Sequence, residues 1–257
     1  MTIISPQPLR GRAALITGAS SGIGAATAEL LAARGATVAL LARRKDRLDE
    51  LTARITAAGG TALAVPVDVT DTTALGAAVS RAAAELGGLD LVVNNAGIML
   101  PAPIEELRAD QWQHQIDLNV TAAVHTAGAV TPLLVAAAAE GRTADLFTTS
   151  SIAAQNIFPT FAVYSATKAF ITHLSRHLRV ELGAKDVRVS AIEPGIVGTE
   201  LQSHVTDQGA RDWLAGAAEQ VEFLTPQDVA EVIAFAAALP RRVNLQQVTI
   251  MPTRQPS

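Results

Sequence analysis

The chain has 257 residues, 49% of them hydrophobic and 17% charged, with a formal net charge of -4 at pH 7. One sizeable core can be buried at that length, and there is no basic excess to hold a phosphate backbone, so nucleic acid is not an expected partner. Cysteine is absent, which excludes disulfides, thiol catalysis and cysteine-ligated zinc.

Residues 1–12 contain Pro6 and Pro8 but no apolar run; they do not read as a signal peptide, and 1–10 are expected to be flexible. Short apolar runs bounded by turns then alternate with amphipathic segments. Strands are predicted over 13–17, 37–41, 62–67, 89–93, 145–149, 187–192 and 248–250. Helices are predicted over 22–34, 46–58, 71–86, 166–182 and 226–238, with one long helix over 111–140 bent at Pro132. Strands of almost continuous Val, Leu, Ile and Ala suit a sheet covered on both faces. The regular alternation predicts an α/β fold, a doubly wound parallel sheet in one domain over 1–257 with helices on both faces. The uncharged stretch 121–139 carries His125 and Pro132 and reads as a buried or interface helix rather than a membrane span. A cytoplasmic protein with no membrane partner is the expectation. His114, His125, His173, His177 and His204 form no ligand motif; His173 and His177 are four apart but lack the glutamate of HExxH, so no metal site is expected.

The segment Thr17-Gly18-Ala19-Ser20-Ser21-Gly22-Ile23-Gly24 follows the first strand and opens the first helix. Glycines there let the chain turn sharply and bring N–H groups up to a pyrophosphate at the helix N-terminus. Gly18, Ser20, Ser21, Gly22, Ile23 and Gly24 are therefore candidate dinucleotide-binding residues, although the spacing is GxxxGxG rather than GxGxxG. An NAD site would place an acid near the end of the second strand to bond the ribose 2′-hydroxyl. Here the residues are Leu41-Ala42-Arg43-Arg44. Arginines suit a 2′-phosphate, so NADP(H) is the expected cofactor and Arg43 the stronger candidate of the two. The plainer reading is two solvated charges opening a helix.

Tyr164 and Lys168 stand four apart, with Ser151 upstream. On a helix, that spacing points a phenol and an ammonium to one side. A phenol alone, at a pKa of roughly 10, is too weak an acid near neutral pH. A close cation favours the phenolate, so Lys168 is expected to lower the Tyr164 pKa into a working range.

Together with Asn94-Asn95-Ala96-Gly97, Asn119 and Pro194-Gly195, these motifs make the chain resemble the short-chain dehydrogenase/reductase family over almost its whole length. The resemblance implies a Rossmann-type fold with about seven strands and a homotetramer or homodimer. It implies Tyr164 as acid/base, Ser151 as the carbonyl-polarising hydroxyl, Lys168 on the nicotinamide ribose, and Asn119 holding a relay water. Asp68 and Val69 would meet the adenine, Asn95, Ala96 and Gly97 would line the cleft, and Pro194, Gly195, Val197 and Thr199 would frame the nicotinamide. Within the family the pattern is similar to 3-hydroxy acid (serine-type) dehydrogenases and clavulanate-pathway aldehyde reductases, which implies a small-molecule carbonyl or alcohol substrate. Met99, Gln155, Phe158, Phe161, Leu201 and Trp213 are the expected pocket, covered by 199–218, and Arg211 either binds a substrate carboxylate or is an ordinary surface charge. The alternative function is a non-catalytic NADP-binding redox sensor, which would normally have lost the tyrosine or the lysine.

Overall fold

The computed structural model describes residues 7–256; the expected flexibility of residues 1–6 lies outside them. Seven strands form one sheet: β1 (Ala13–Thr17), β2 (Thr37–Ala42), β3 (Thr61–Pro66), β4 (Leu91–Asn94), β5 (Ala144–Thr149), β6 (Val187–Pro194) and β7 (Gln247–Ile250). Every pairing is parallel and the order is β3-β2-β1-β4-β5-β6-β7. Parallel strands need crossovers, and these are helices: α1 (Gly22–Ala33), α2 (Lys45–Ala57), α3 (Thr72–Leu86), α4 (Ala109–Ile116), α5 (Ala123–Ala139), α6 (Ala162–Gly183), α7 (Gln208–Gln220) and α8 (Pro226–Ala237). The doubly wound prediction is met.

Successive strand side chains point to opposite faces, so one strand feeds two cores. Ile16 and Leu40 pack with Leu31 of α1 and with Val229 and Ile233 of α8. Their neighbours Leu15 and Leu41 pack on the other face with Val79 of α3 and with Val130 and Leu134 of α5. These side chains are fully buried or nearly so, each worth about 1.5–3 kcal/mol relative to exposure. The helical run 109–139 is long and apolar enough to cross a membrane; here Val130, Leu134, Ala137 and Ala138 are buried against the sheet.

An ionic layer ties the strands together at their N-terminal ends. Arg188 forks onto Asp145 at 2.6 and 2.8 Å, while Arg12 bridges Asp145 at 2.8 Å and Asp90 at 2.6 Å. The spare Arg188 donors reach the carbonyls of Ala237, Leu239, Pro240 and Val243 just beyond α8. Leu9 is buried and donates its N–H to the Arg34 carbonyl at 3.0 Å. The described end of the predicted flexible segment is thus tied down.

Two helix expectations need correction. The long helix predicted over 111–140 is interrupted by a π turn at Asp117–Ala122, which separates α4 from α5. Asn119 sits in that turn, and Pro132 lies within α5. α6 begins at Ala162, not 166, so Tyr164 is already helical.

Candidate active site

β1 and β4 are neighbours in the sheet although two strands separate them in sequence, which makes this the switch point where a doubly wound sheet opens a crevice. Thr17 ends β1 there. Its hydroxyl oxygen accepts from the backbone N–H groups of Asn95 at 2.9 Å and Ala96 at 3.0 Å. Asn95 Nδ2 donates back to the Thr17 carbonyl at 3.2 Å, and its Oδ1 accepts from the Thr149 hydroxyl at 3.2 Å. The ends of β1, β4 and β5 are thereby pinned. Asn94 is buried and donates to the Ala123 carbonyl at 2.8 Å, a structural bond.

Gly18 (φ 66°) and Gly22 (φ 52°) turn the chain from β1 into α1 through the left-handed region that glycine enters without strain. Gly24 lies behind them, where a Cβ would run into the Gly18 carbonyl oxygen. It permits close packing and does not line the crevice. A cavity of about 910 Å³ opens over the turn, lined by Gly18, Ser20, Ser21, Gly22, Ile23, Arg43, Arg44, Asp68 and Val69. Asn95, Ala96, Gly97, Pro194, Gly195, Val197 and Thr199 continue the same wall.

Of the two arginines, Arg44 is the one gathered into the turn. Its Nη2 donates to Ser20 Oγ at 2.9 Å and Ser21 Oγ at 2.8 Å, and its Nη1 meets Glu200 Oε2 at 2.9 Å. That hydrogen bond, with Arg47 at 3.7 Å, holds the Glu200 carboxyl below the usual carboxylate range. Arg43 is largely exposed and stands 3.9 Å from Asp68. Burial works against the Asp68 carboxylate, but Thr70 donates to it from its backbone at 3.0 Å and its hydroxyl at 2.7 Å. Those bonds, with Arg43 and His114 nearby, hold its pKa down. The cap of α3 is Asp71, not Asp68.

Tyr164 and Lys168 project one helical turn apart from the start of α6, and both are buried. Ser151 leaves the end of β5, accepts from the Ala153 N–H at 3.1 Å, and stands near enough to Tyr164 to favour its phenolate. All three line the cavity. Burial pushes the phenol up to about 12 despite Ser151, and burial pushes the ammonium down to about 8. The expectation that Lys168 brings the Tyr164 pKa down into a working range is not met, because burial sets the direction of the net shift. Lys168 Nζ is 5.8 Å from the ring centroid and donates to the Thr149 carbonyl at 3.0 Å, so desolvation outweighs its attraction. Ser150 also reaches the cavity wall, but its hydroxyl is engaged by the Lys168 carbonyl and Thr172 Oγ1.

Asn119 does not line the cavity. Its amide is taken up by the Ile98 N–H at 2.8 Å, the Ile98 carbonyl at 2.9 Å and Thr167 Oγ1 at 3.1 Å. The side chain fixes the strand exit and α6, and it has no donor left for a relay. Gln155 is the other departure. Its Nε2 turns away from Tyr164 and bonds Glu193, a fully buried carboxylate that also accepts from Thr172 and Gln247 at 2.7 and 2.9 Å. A buried carboxyl group needs hydrogen-bond partners for its oxygens, and Gln155 is one of them. Met99, Phe158, Phe161, Leu201 and Trp213 line the cavity beside Tyr164 as expected.

A profile of the short chain dehydrogenases matches residues 12–210. An uncharacterised oxidoreductase of Listeria innocua is 34% identical over 96% of this chain and 99% of its own length. The chain belongs to the short-chain dehydrogenase family. Among solved structures, a closed form of serine dehydrogenase complexed with NADP+ superposes with a TM-score of 0.86 at 30% identity, covering 95% of this chain and 96% of that one. The 3-ketoacyl-(acyl-carrier-protein) reductase of Brucella melitensis complexed with NADH gives 0.84 at 29% identity, covering 94% and 97%.

In this short-chain dehydrogenase the sequence alone did not single out Thr17, Thr149, Glu200 or Gln255. Gln255 lies on the cavity wall, where its Oε1 accepts from the Ile196 N–H at 2.9 Å and its buried Nε2 has no partner among the described residues. It lies far along the chain from every motif, so no spacing signals it.

Proposed function

We propose that this oxidoreductase is an NADPH-dependent carbonyl reductase that interconverts a ketone or aldehyde and an alcohol, with Tyr164 as acid/base. One observation carries the reading: Ser151, Tyr164 and Lys168 meet on the wall of the same cavity that the glycine turn opens. The residues present suit the dinucleotide. Gly18 and Gly22 make the tight turn at the cavity wall, where a Cβ would press on Asn95, Ala96 and Thr199, Arg44 with Ser20 and Ser21 offers donors to a 2′-phosphate, and the unpaired Gln255 Nε2 offers one to a polar group at the opposite wall. Asp68, Val69, Asn95, Ala96 and Gly97 would flank the ribose and adenine, and Pro194, Val197 and Thr199 the nicotinamide.

When bound, the reduced nicotinamide supplies the hydride that adds to the carbonyl carbon. Tyr164 holds the proton that passes to the carbonyl oxygen, and with a pKa pushed up to about 12 it carries that proton throughout the neutral range. Ser151 donates to the same oxygen as charge develops. Lys168, down at about 8, remains mostly cationic at pH 7 and steadies the phenolate left behind. Asn119 acts by position, holding Ile98 and Thr167 beside these groups. Exposed apolar residues Ile116, Val124, Phe170 and Val180 on α4, α5 and α6 suit a homodimer or homotetramer.

The test is NADPH consumption over a panel of aldehydes and ketones, with NADH in parallel. Stoichiometric oxidation of NADPH with alcohol formation is expected. An enzyme that binds NADPH tightly yet turns over no carbonyl would be a sensor instead.

A further inference from the structure

Resting on that reading, we infer that the substrate is a neutral, ring-bearing ketone or aldehyde and that anionic carbonyl compounds are rejected. Phe158, Phe161 and Trp213 form a triangle of rings, with centroids 5.9, 5.8 and 5.6 Å apart and mutual tilts near 60°. Phe161 also meets the Tyr164 ring edge-on at 6.3 Å. Tyr164 thus belongs to an apolar cluster with Met99, Val205 and Leu214. Trp213 is left 41% exposed, and it lines the cavity. Indole surface held open on the wall of the cavity that Tyr164 also lines is surface that a flat apolar substrate would cover.

The charges complete the argument. Among the described residues only Lys168, Arg43 and Arg44 bring a lysine or arginine to the cavity. Lys168 is buried on the Thr149 carbonyl, and the two arginines belong to the Ser20, Ser21 and Asp68 end. Arg211, for which a substrate carboxylate or an ordinary surface place was left open, donates to the Thr206 carbonyl and does not line the cavity. Arg108 is engaged by Glu106 and Asp207 and does not line it either. His204 lines the cavity but is exposed. A carboxylate entering beside the three rings would lose its water and find no fixed cation, a costly exchange. This narrows the small-molecule carbonyl or alcohol substrate that the family resemblance implied.

The experiment compares four ketones by kcat/KM with saturating NADPH: acetophenone, butanone, methyl 4-acetylbenzoate and the 4-acetylbenzoate anion. The methyl ester is expected to exceed the anion by about 100-fold, and acetophenone to exceed butanone by about tenfold or more. The second preference runs against intrinsic reactivity, since conjugation makes aryl ketones the poorer hydride acceptors. Trp213→Ala is expected to lower the acetophenone-over-butanone ratio about tenfold, mainly through KM. Equal or faster turnover of the anion, or no advantage for the ring, overturns the inference and leaves the carbonyl reductase reading intact. If none of the four consumes NADPH while NADPH still binds, the inference fails, and the wider aldehyde and ketone panel decides the reductase reading separately.

Discussion

Lys168 Nζ stands 5.8 Å from the centre of the Tyr164 ring and gives its hydrogen bond to the Thr149 carbonyl at 3.0 Å. The two side chains share a wall, yet burial moves their pKa values toward each other from opposite sides, the phenol up and the ammonium down. Tyr164 is the only tyrosine in the chain, so the ultraviolet absorbance of phenolate reads it alone. In the cofactor-free protein, phenolate is expected to form only well above pH 10, with a midpoint near about 12. A midpoint below 9 would show that the lysine governs the phenol after all.

Removing the phenolic oxygen removes the proton donor and little else, because the ring of Phe fits the same apolar cluster. Tyr164→Phe is expected to cut kcat by about 10³-fold and to leave the NADPH dissociation constant within a factor of about two. Rapid-mixing kinetics and a fluorescence titration with NADPH measure the two.

Lys168 is expected to cost stability at neutral pH. Its folded pKa, about 8, lies below the ordinary 10.5, so the unfolded chain binds more protons between those values and stability rises with pH across that window. Lys168→Met is expected to melt higher than the parent at pH 7 while losing activity, with an upper bound of about 3 kcal/mol. The gain should shrink as the pH passes 8 and approaches 10. Calorimetry at a series of pH values checks it, and a constant difference across the series contradicts it.

Glu200 and a 2′-phosphate would compete for Arg44. Glu200→Gln keeps the shape and removes the charge, so KM for NADPH is expected to fall several-fold with KM for NADH unchanged. Arg44→Ala is expected to weaken NADPH by about 10- to 100-fold and to leave NADH nearly untouched. Arg43→Ala, on an exposed side chain, should do less.

At the N-terminal ends of the strands, Asp145 accepts from Arg12 and from two nitrogens of Arg188. Asp145→Ala leaves buried Arg188 without its carboxylate and Arg12 with Asp90 alone, and is expected to destabilise the fold by about 3–5 kcal/mol. The surviving folded enzyme should keep its KM values, since the cavity lies at the opposite ends of the strands.

The strands were legible because each is a run of apolar residues that can only be buried on two faces, and β1, β5 and β6 fell within a residue or two of prediction. The turn at Gly18–Gly24 and the Tyr164/Lys168 spacing were legible because local geometry fixes both. What escaped was decided by contacts distant in sequence. Gln155 follows a carboxylate on β6, Arg44 is chosen over Arg43 by hydroxyls more than twenty residues earlier, and the π turn at Asn119 answers to Ile98 and Thr167. The covering segment was expected from its position, but α7, capped by Asp207, was not foreseen as a helix.

Gln255 reaches back to the Ile196 N–H, and with Pro252 it fills the space a side chain at Gly195 would need. The last turns of the polypeptide are therefore part of the wall against which the nicotinamide would rest. A substitution at Gln255 or Pro252 would be felt at that wall.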